Sequence, residues 1–322
     1  MSKVKAVNNI LIGYGGYGKI SIHRLSGELL REVIIHITGA TVSLNFNRPM
    51  ETTYNAPPNQ ESRAQIPLGV GTCLMTGTIN FDFSQNSING LIQEDFLCRN
   101  NRFNIYMCDG RVAYTITDCS WSSFSINASP QSLVTGSIAF TALNKNNNGE
   151  PYAYIDKQVI DNSIGNYFKD ELVAYWEAGA NDVESFALTL NQEITPVYLN
   201  NKFIMPSYLR SGALSISANI VSWKDWIGMY DKQNPYIEDK YFNEDYISND
   251  LIDFNNNMEL IIAEKSILIN NKVVMVKEYS HSGAGDVGSH SYTINGTVVS
   301  SSKDKLFEIG TRILKWKIKQ EK

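Results

Sequence analysis

Gly13-Tyr14-Gly15-Gly16-Tyr17-Gly18 satisfies the spacing G-x-G-x-x-G and comes after Asn9-Ile10-Leu11-Ile12, a short apolar run able to form a strand. Glycines so spaced let a backbone turn tightly against a pyrophosphate. The arrangement works only when a helix begins at once and an acidic residue about 20 positions on closes the next strand to hold the ribose. Here the next strand candidate ends in Ile35-His36-Ile37-Thr38 without an acid, and Glu28 and Glu32 come too early. The chain beyond Gly18 reads as β-structure rather than alternating strand and helix. A nicotinamide-dependent oxidoreductase (NAD or NADP) resting on residues 13–18 is therefore the weaker reading, and a flexible Gly-Tyr turn is the expectation.

The other reactive side chains do not gather into a motif. His23, His36, His281 and His290 are scattered, and neither Ser nor Cys stands in a nucleophile motif such as G-x-S-x-G. No carboxylate pair is placed by a recognisable pattern. Cys73, Cys98, Cys108 and Cys119 form no C-x-x-C and have no histidine at ligand spacing, so buried free thiols are expected. Asn127-Ala128-Ser129 and Asn295-Gly296-Thr297 match the glycosylation sequon but lack a secretory signal to give it meaning. The expectation is no catalytic residue, no metal and no cofactor.

The elements that would position any site repeat themselves. Val42, Leu44 and Phe46 correspond to Phe186, Leu188 and Leu190 at an offset of 144. Cys73, Met75, Gly77 and Ile79 correspond to Leu214, Ile216, Ala218 and Ile220 at an offset of 141, and residues 136–141 to residues 288–293 at 152. A strand's side chains alternate between faces, so patterns copied in phase bury the same face twice. On this alignment His290 takes the place of Ile138 and Tyr292 that of Phe140. The expected organisation is an N-terminal Gly/Tyr-containing segment 1–37, a β domain 38–150, a related β domain 160–302 and a C-terminal strand or tail 303–322. The fold class is all-β, with short flanking helices and two tandem β-sandwich or rolled-sheet domains.

Within that frame, residues 21–37 fit a hairpin or a short helix, and residues 48–67 form a long connection with four prolines. Strands are expected at 73–84, 103–107, 111–117, 120–128 and 132–143, with a short helix at 87–97 and a hairpin turn at Asp109-Gly110. Residues 144–151 read as a linker. The counterpart of the short helix starts at Ser222-Trp223-Lys224-Asp225-Trp226. An insertion at 231–257 then carries seven Asp or Glu against two Lys, interleaved with Tyr236, Tyr241, Phe242, Tyr246 and Phe254. It suits either a solvated loop or a docking surface, since interfaces favour aromatic residues. Near the end, Leu314, Trp316 and Ile318 share one strand face with three lysines on the other. Such a strand is suited to adding itself to a neighbour's sheet edge. Those three residues, with Tyr236, Tyr241, Phe242 and Tyr246, are the candidate subunit interface.

A net charge of -5 and a pI near 5.5 exclude a general electrostatic grip on nucleic acid. The apolar run at 10–12 is too short for a signal sequence or a membrane span, so a protein made in the cytoplasm without a membrane anchor is expected.

Duplicated domains of long alternating strands, one short helix after the second strand pattern, long Pro-rich loops and low charge resemble the major tail tube proteins of long-tailed bacteriophages. The resemblance covers residues 38–302 and rests on pattern, without a diagnostic motif. It implies a fold related to the tubes of contractile injection systems and a structural virion protein that assembles into stacked rings. It also implies trimeric rings with pseudo-sixfold symmetry and a conduit that passes DNA during ejection without binding it specifically. Tape measure, tail terminator and baseplate proteins are the partners the resemblance implies. A baseplate-proximal ring is the alternative within this class. A tandem β-sandwich adhesion module is the alternative outside it.

Overall fold

Alternation of apolar and polar side chains dominates the chain, and each alternating segment that can be placed is a strand. A computed structural model describes residues 9–12, 16–47, 50–52, 65–67, 71–108, 112–145, 155–159, 172–173, 176–178, 183–199, 205–222, 258–262, 265–269, 274–283, 289–298 and 307–311. The protein is all-β. Its first half contains β1 (Asn9–Ile12), β2 (Gly16–His23), β3 (Leu29–Asn47), β4 (Met50–Thr52), β5 (Gln65–Pro67) and β6 (Thr72–Asp82). Two short helices come next, α1 (Gln85–Leu91) and α2 (Glu94–Leu97), then β7 (Arg102–Cys108), β8 (Val112–Ala128) and β9 (Thr135–Ala142). The second half contains β10 (Asp156–Val159), β11 (Trp176–Ala178), β12 (Val183–Val197), β13 (Tyr208–Ser222), β14 (Met258–Ile262), β15 (Lys265–Ile269), β16 (Val274–Gly283), β17 (His290–Val298) and β18 (Phe307–Thr311).

Six strands of the first half pair in a closed circuit. β2 pairs with β3, β3 with β6, β6 with β9, β9 with β8, β8 with β7, and β7 with β2, all antiparallel. Closure gives each of the six strands two neighbours within the circuit. A barrel this small has room inside only for side chains. Ile20, Ile35, Ile79, Phe81, Phe103, Ile105 and Ile138 are fully buried. Rings of Phe96, Phe103, Phe124 and Phe140 meet edge to face at centroid distances of 5.6 to 6.4 Å.

The helices are held on this barrel by polar contacts. Ser84 and Ser87 form a reciprocal capping box at the start of α1. The Arg31 side chain donates from Nε to the Gly90 carbonyl at 2.8 Å and pairs through both terminal nitrogens with the Asp95 carboxylate, so one β3 residue grips α1 and α2 together. Trp121 Nε1 donates to the Phe96 carbonyl at 2.9 Å.

Beyond β8 the sheet continues as β12, β13, β17 and β16. A separate sheet, β11-β14-β15-β18, contributes Leu260 and Ile262 to the core cluster that also holds Phe186, Leu188, Ile216 and Ile220.

Several expectations are corrected. Residues 1–37 are not set apart from a domain starting at 38: β2 is a barrel strand, and β3 runs unbroken through that boundary. Gly16 and Gly18 belong to β2, not to a flexible turn. A Cβ on Gly18 would lie 2.5 Å from Ile37 Cδ1. Residues 21–37 are a hairpin, turning where Gly27 has a φ of 88°. The Pro-rich connection contains a β4–β5 pair. Strands expected at 111–117 and 120–128 are one strand, β8, and the single helix is two. After the linker, β10 returns to pair with β8. Cys73, Cys108 and Cys119 are buried and in no disulfide, whereas Cys98 is exposed.

Gly77, in β6, has no room for a side chain, and one of the atoms in the way belongs to the backbone. A Cβ there would lie 2.5 Å from Phe140 Cζ and 2.6 Å from the Thr41 carbonyl oxygen. Overpacking of this kind costs roughly 1 to 3 kcal/mol. Gly77→Ala is expected to lower stability by that amount in urea unfolding, while Gly39→Ala, where the nearest atom is 3.8 Å away, changes it less.

Candidate functional site

The feature that organises both halves is the seam along β8. Its first part pairs with β7 on one edge and β10 on the other. Its second part pairs with β9 on one edge and, from Ser123 to Ala128, with β12 on the other. Where the neighbours change, β8 departs from regular strand geometry in a bulge-like kink: Asp118 has a φ of 56°, beside a register shift against β7. Asp tolerates this left-handed conformation better than most residues, yet it still carries strain. Polar contacts fix the kink. The Asp118 N–H donates to Asn104 Oδ1 at 2.9 Å, the Thr117 N–H to Asn144 Oδ1 at 3.2 Å, and Lys145 Nζ pairs with the Asp118 carboxylate.

Across the seam the apolar face runs on without a change of phase. Phe124 lies beside Leu190 and Leu190 beside Ile216; Ile126 beside Leu188 and Leu188 beside Ala218; Ala128 beside Phe186 and Phe186 beside Ile220. None of these nine residues is more than 5% exposed. Side-chain and backbone ties reinforce the ladder. Gln192 Nε2 donates to the Trp121 carbonyl at 2.7 Å, and Arg102 Nη2 to the Leu209 carbonyl at 2.6 Å. Burial pulls the Arg102 guanidinium below its usual pKa range, against the opposing pull of Asp118, and its Nη1 is buried without a hydrogen-bond partner. Val173 exchanges backbone hydrogen bonds with Phe83 and Val134, which stitches the start of the second half to the barrel.

The two halves also share strand order and register. β3-β6-β9 and β12-β13-β17 are each consecutive antiparallel neighbours. Val42 opposes Gly77 and Gly77 opposes Phe140; Phe186 opposes Ile220 and Ile220 opposes Tyr292. The same match holds two residues along, for Leu44, Met75 and Ala142 against Leu188, Ala218 and Ile294. Gly77 therefore corresponds to Ile220, an offset of 143 rather than the 141 read from the sequence. The even slip preserves the buried face, which is why alternation alone did not reveal it. A fourth pair escaped the sequence reading. β8 flanks β9 through Trp121–Phe140 and Cys119–Ala142, and β16 flanks β17 through His281–Tyr292 and Tyr279–Ile294, so β16 stands where β8 does.

A cavity of about 610 Å³ opens at the end of the seam, lined by residues that include Asp82, Asn127, Ser132, Thr135, Ser185 and Asn219. His36 Nδ1 lies 2.9 Å from Asp82 Oδ2. Among the described residues no group of three or more His, Cys, Asp or Glu is placed to hold a metal. Residues 16–23 continue as strand where the dinucleotide fingerprint needs a helix. No helix among the described residues is long and apolar enough to cross a membrane.

The candidate interface residues Leu314, Trp316, Ile318, Tyr236, Tyr241, Phe242 and Tyr246 lie outside the described residues, as do the rest of the acidic insertion and the turn at Asp109-Gly110. His290 starts β17 opposite Ser222, but its side chain is likewise outside. β18 falls within the expected tail and pairs with β15 of the same chain, so truncation before it removes a strand of that chain's own sheet. No protein-family model matches the chain, and no curated protein matches it either.

Replacing Asp118 tests the kink. A β-branched residue is poorly tolerated at positive φ and cannot pair with Lys145. Asp118→Val is expected to lose roughly 1 to 3 kcal/mol in denaturant unfolding. Asp118→Asn, which keeps the local preference, loses less.

Proposed function

We propose that the chain is a structural protein that assembles with copies of itself, each chain contributing two related β units to a closed ring. The observation that carries this reading is the seam. Two units with the same strand order and register are joined edge to edge through β8 and β12, and an edge joint between equivalent units can be repeated. Such a joint is heterologous, and heterologous contacts close into rings or run on as filaments. With two units per chain, three chains make a six-unit ring with pseudo-sixfold symmetry. Rings that stack give a tube, and the phage tail tube is the reading that the sequence resemblance favours, with a baseplate-proximal ring as its variant.

Charge fits the conduit role. Basic lining would hold DNA by counterion release, whereas a chain with a net charge of -5 suits passage without binding. The filled barrel adds a constraint: a DNA-wide channel must lie between units around the ring axis, not through a unit. Tape measure, terminator and baseplate proteins would be the partners in a virion.

Electron microscopy of the concentrated protein tests this reading. The expected result is rings or tubes whose averaged end views show three chains and six similar units around an open, non-basic lumen. Six chains per ring would overturn the stoichiometry. Particles that stay monomeric at high concentration would favour an adhesion module instead.

A further inference from the structure

The seam inside the chain specifies where the next chain would attach. β12 is paired on both edges, with β13 on one and β8 on the other. β3, which matches it from Thr41 to Asn47, has β6 on the edge corresponding to β13. Its other edge carries β2 along Leu29 to Ile37 and β1 along Ala40 to Ser43. No described strand pairs with the Leu44 to Asn47 stretch of that edge.

Among the described residues side-chain exposure differs in step with this pairing. Val42 and Phe186 are each 1% exposed, since each has a strand beside it. Leu188 is 2% exposed and Leu190 fully buried beside β8, whereas their counterparts Leu44 and Phe46 are half-buried and 37% exposed. At the far end of the same sheet β16 stands where β8 does, and among the described residues it pairs with β17 alone. Ser282 at its end is exposed.

We infer that a second copy of this chain docks the outer edge at the end of its β16 against the Phe46–Asn47 end of β3, in the register that β8 and β12 already show. Ser123 opposes Asn191 and Phe124 opposes Leu190 in the internal seam. Carried over through the matched ladders, Ser282 of one chain opposes Asn47 of the next, and Gly283 opposes Phe46. The joint would cover Phe46 as Leu190 is covered. It runs head to tail, with each chain offering one donor and one acceptor edge. β1 holds the adjoining part of the edge and fixes where the docked strand stops. The inference rests on the ring reading and names its chain-to-chain contact.

Engineered disulfides test it. In a Cys98→Ser background the remaining native thiols are buried. Ser282→Cys with Asn47→Cys, oxidised after assembly, is expected to convert rings into covalent trimers on non-reducing gels, while either substitution alone gives no link. Should the double variant fold poorly, a mixture of the two single variants is expected to give covalent dimers. Rings that form without cross-linking in the double variant and in the mixture would overturn this contact and leave the ring reading intact. Failure of the parent protein to form any ring would overturn both.

Discussion

Strand β8 must satisfy four neighbours with two edges, and the structure depends on how it does so. By kinking at Asp118, β8 gives its first part to β7 and β10 and its second to β9 and β12. Pairing with β7 and β9 closes the barrel. Pairing with β12 lets the sheet leave it. Backbone groups that closure alone would strand along the second part of β8 are satisfied by β12, and burial of Phe124, Ile126 and Ala128 extends into Leu190, Leu188 and Phe186.

The same device explains why the halves differ in form while agreeing in register. The first unit closes through β2 and β7, and β3 contributes to both sides of that circuit. In the second half, β12-β13-β17-β16 is accompanied by the shorter strands β11, β14, β15 and β18. The filled interior of the first unit leaves no channel through it, so a function that requires an opening must obtain it from the arrangement of several units.

The alternation of Cys73, Met75, Ile79 and Phe81, or of Phe186, Leu188 and Leu190, made the buried faces readable from sequence, because a half-buried strand has only two faces to choose between. Register was harder. Small residues align with small residues by inspection, which put Gly77 on Ala218. In space Gly77 is small because the Phe140 ring lies against it, and its counterpart is the bulky Ile220. The kink was hidden for a similar reason: the break in alternation around Thr117-Asp118 looks like a turn, but Asn104, Asn144 and Lys145 come from separate segments to stabilise it within a strand. The edge-to-edge seam, the candidate site itself, has no motif. It arises from backbone pairing, and only the matching apolar phase of β8 and β12 hints at it. The aromatic insertion and the lysine-rich terminal segment stood out by composition and lie outside the described residues.

Hydrogen exchange on the dilute, unassembled chain tests most directly whether β8 and β12 form one continuous sheet. The account predicts that amides in residues 123–128 and 186–191 exchange slowly and at a common rate, protected with the barrel, while those in residues 44–47 exchange far faster despite their matching sequence pattern. Independent exchange of residues 186–191 at a rate unrelated to that of residues 123–128, or equal protection of residues 44–47 in the lone chain, would contradict it.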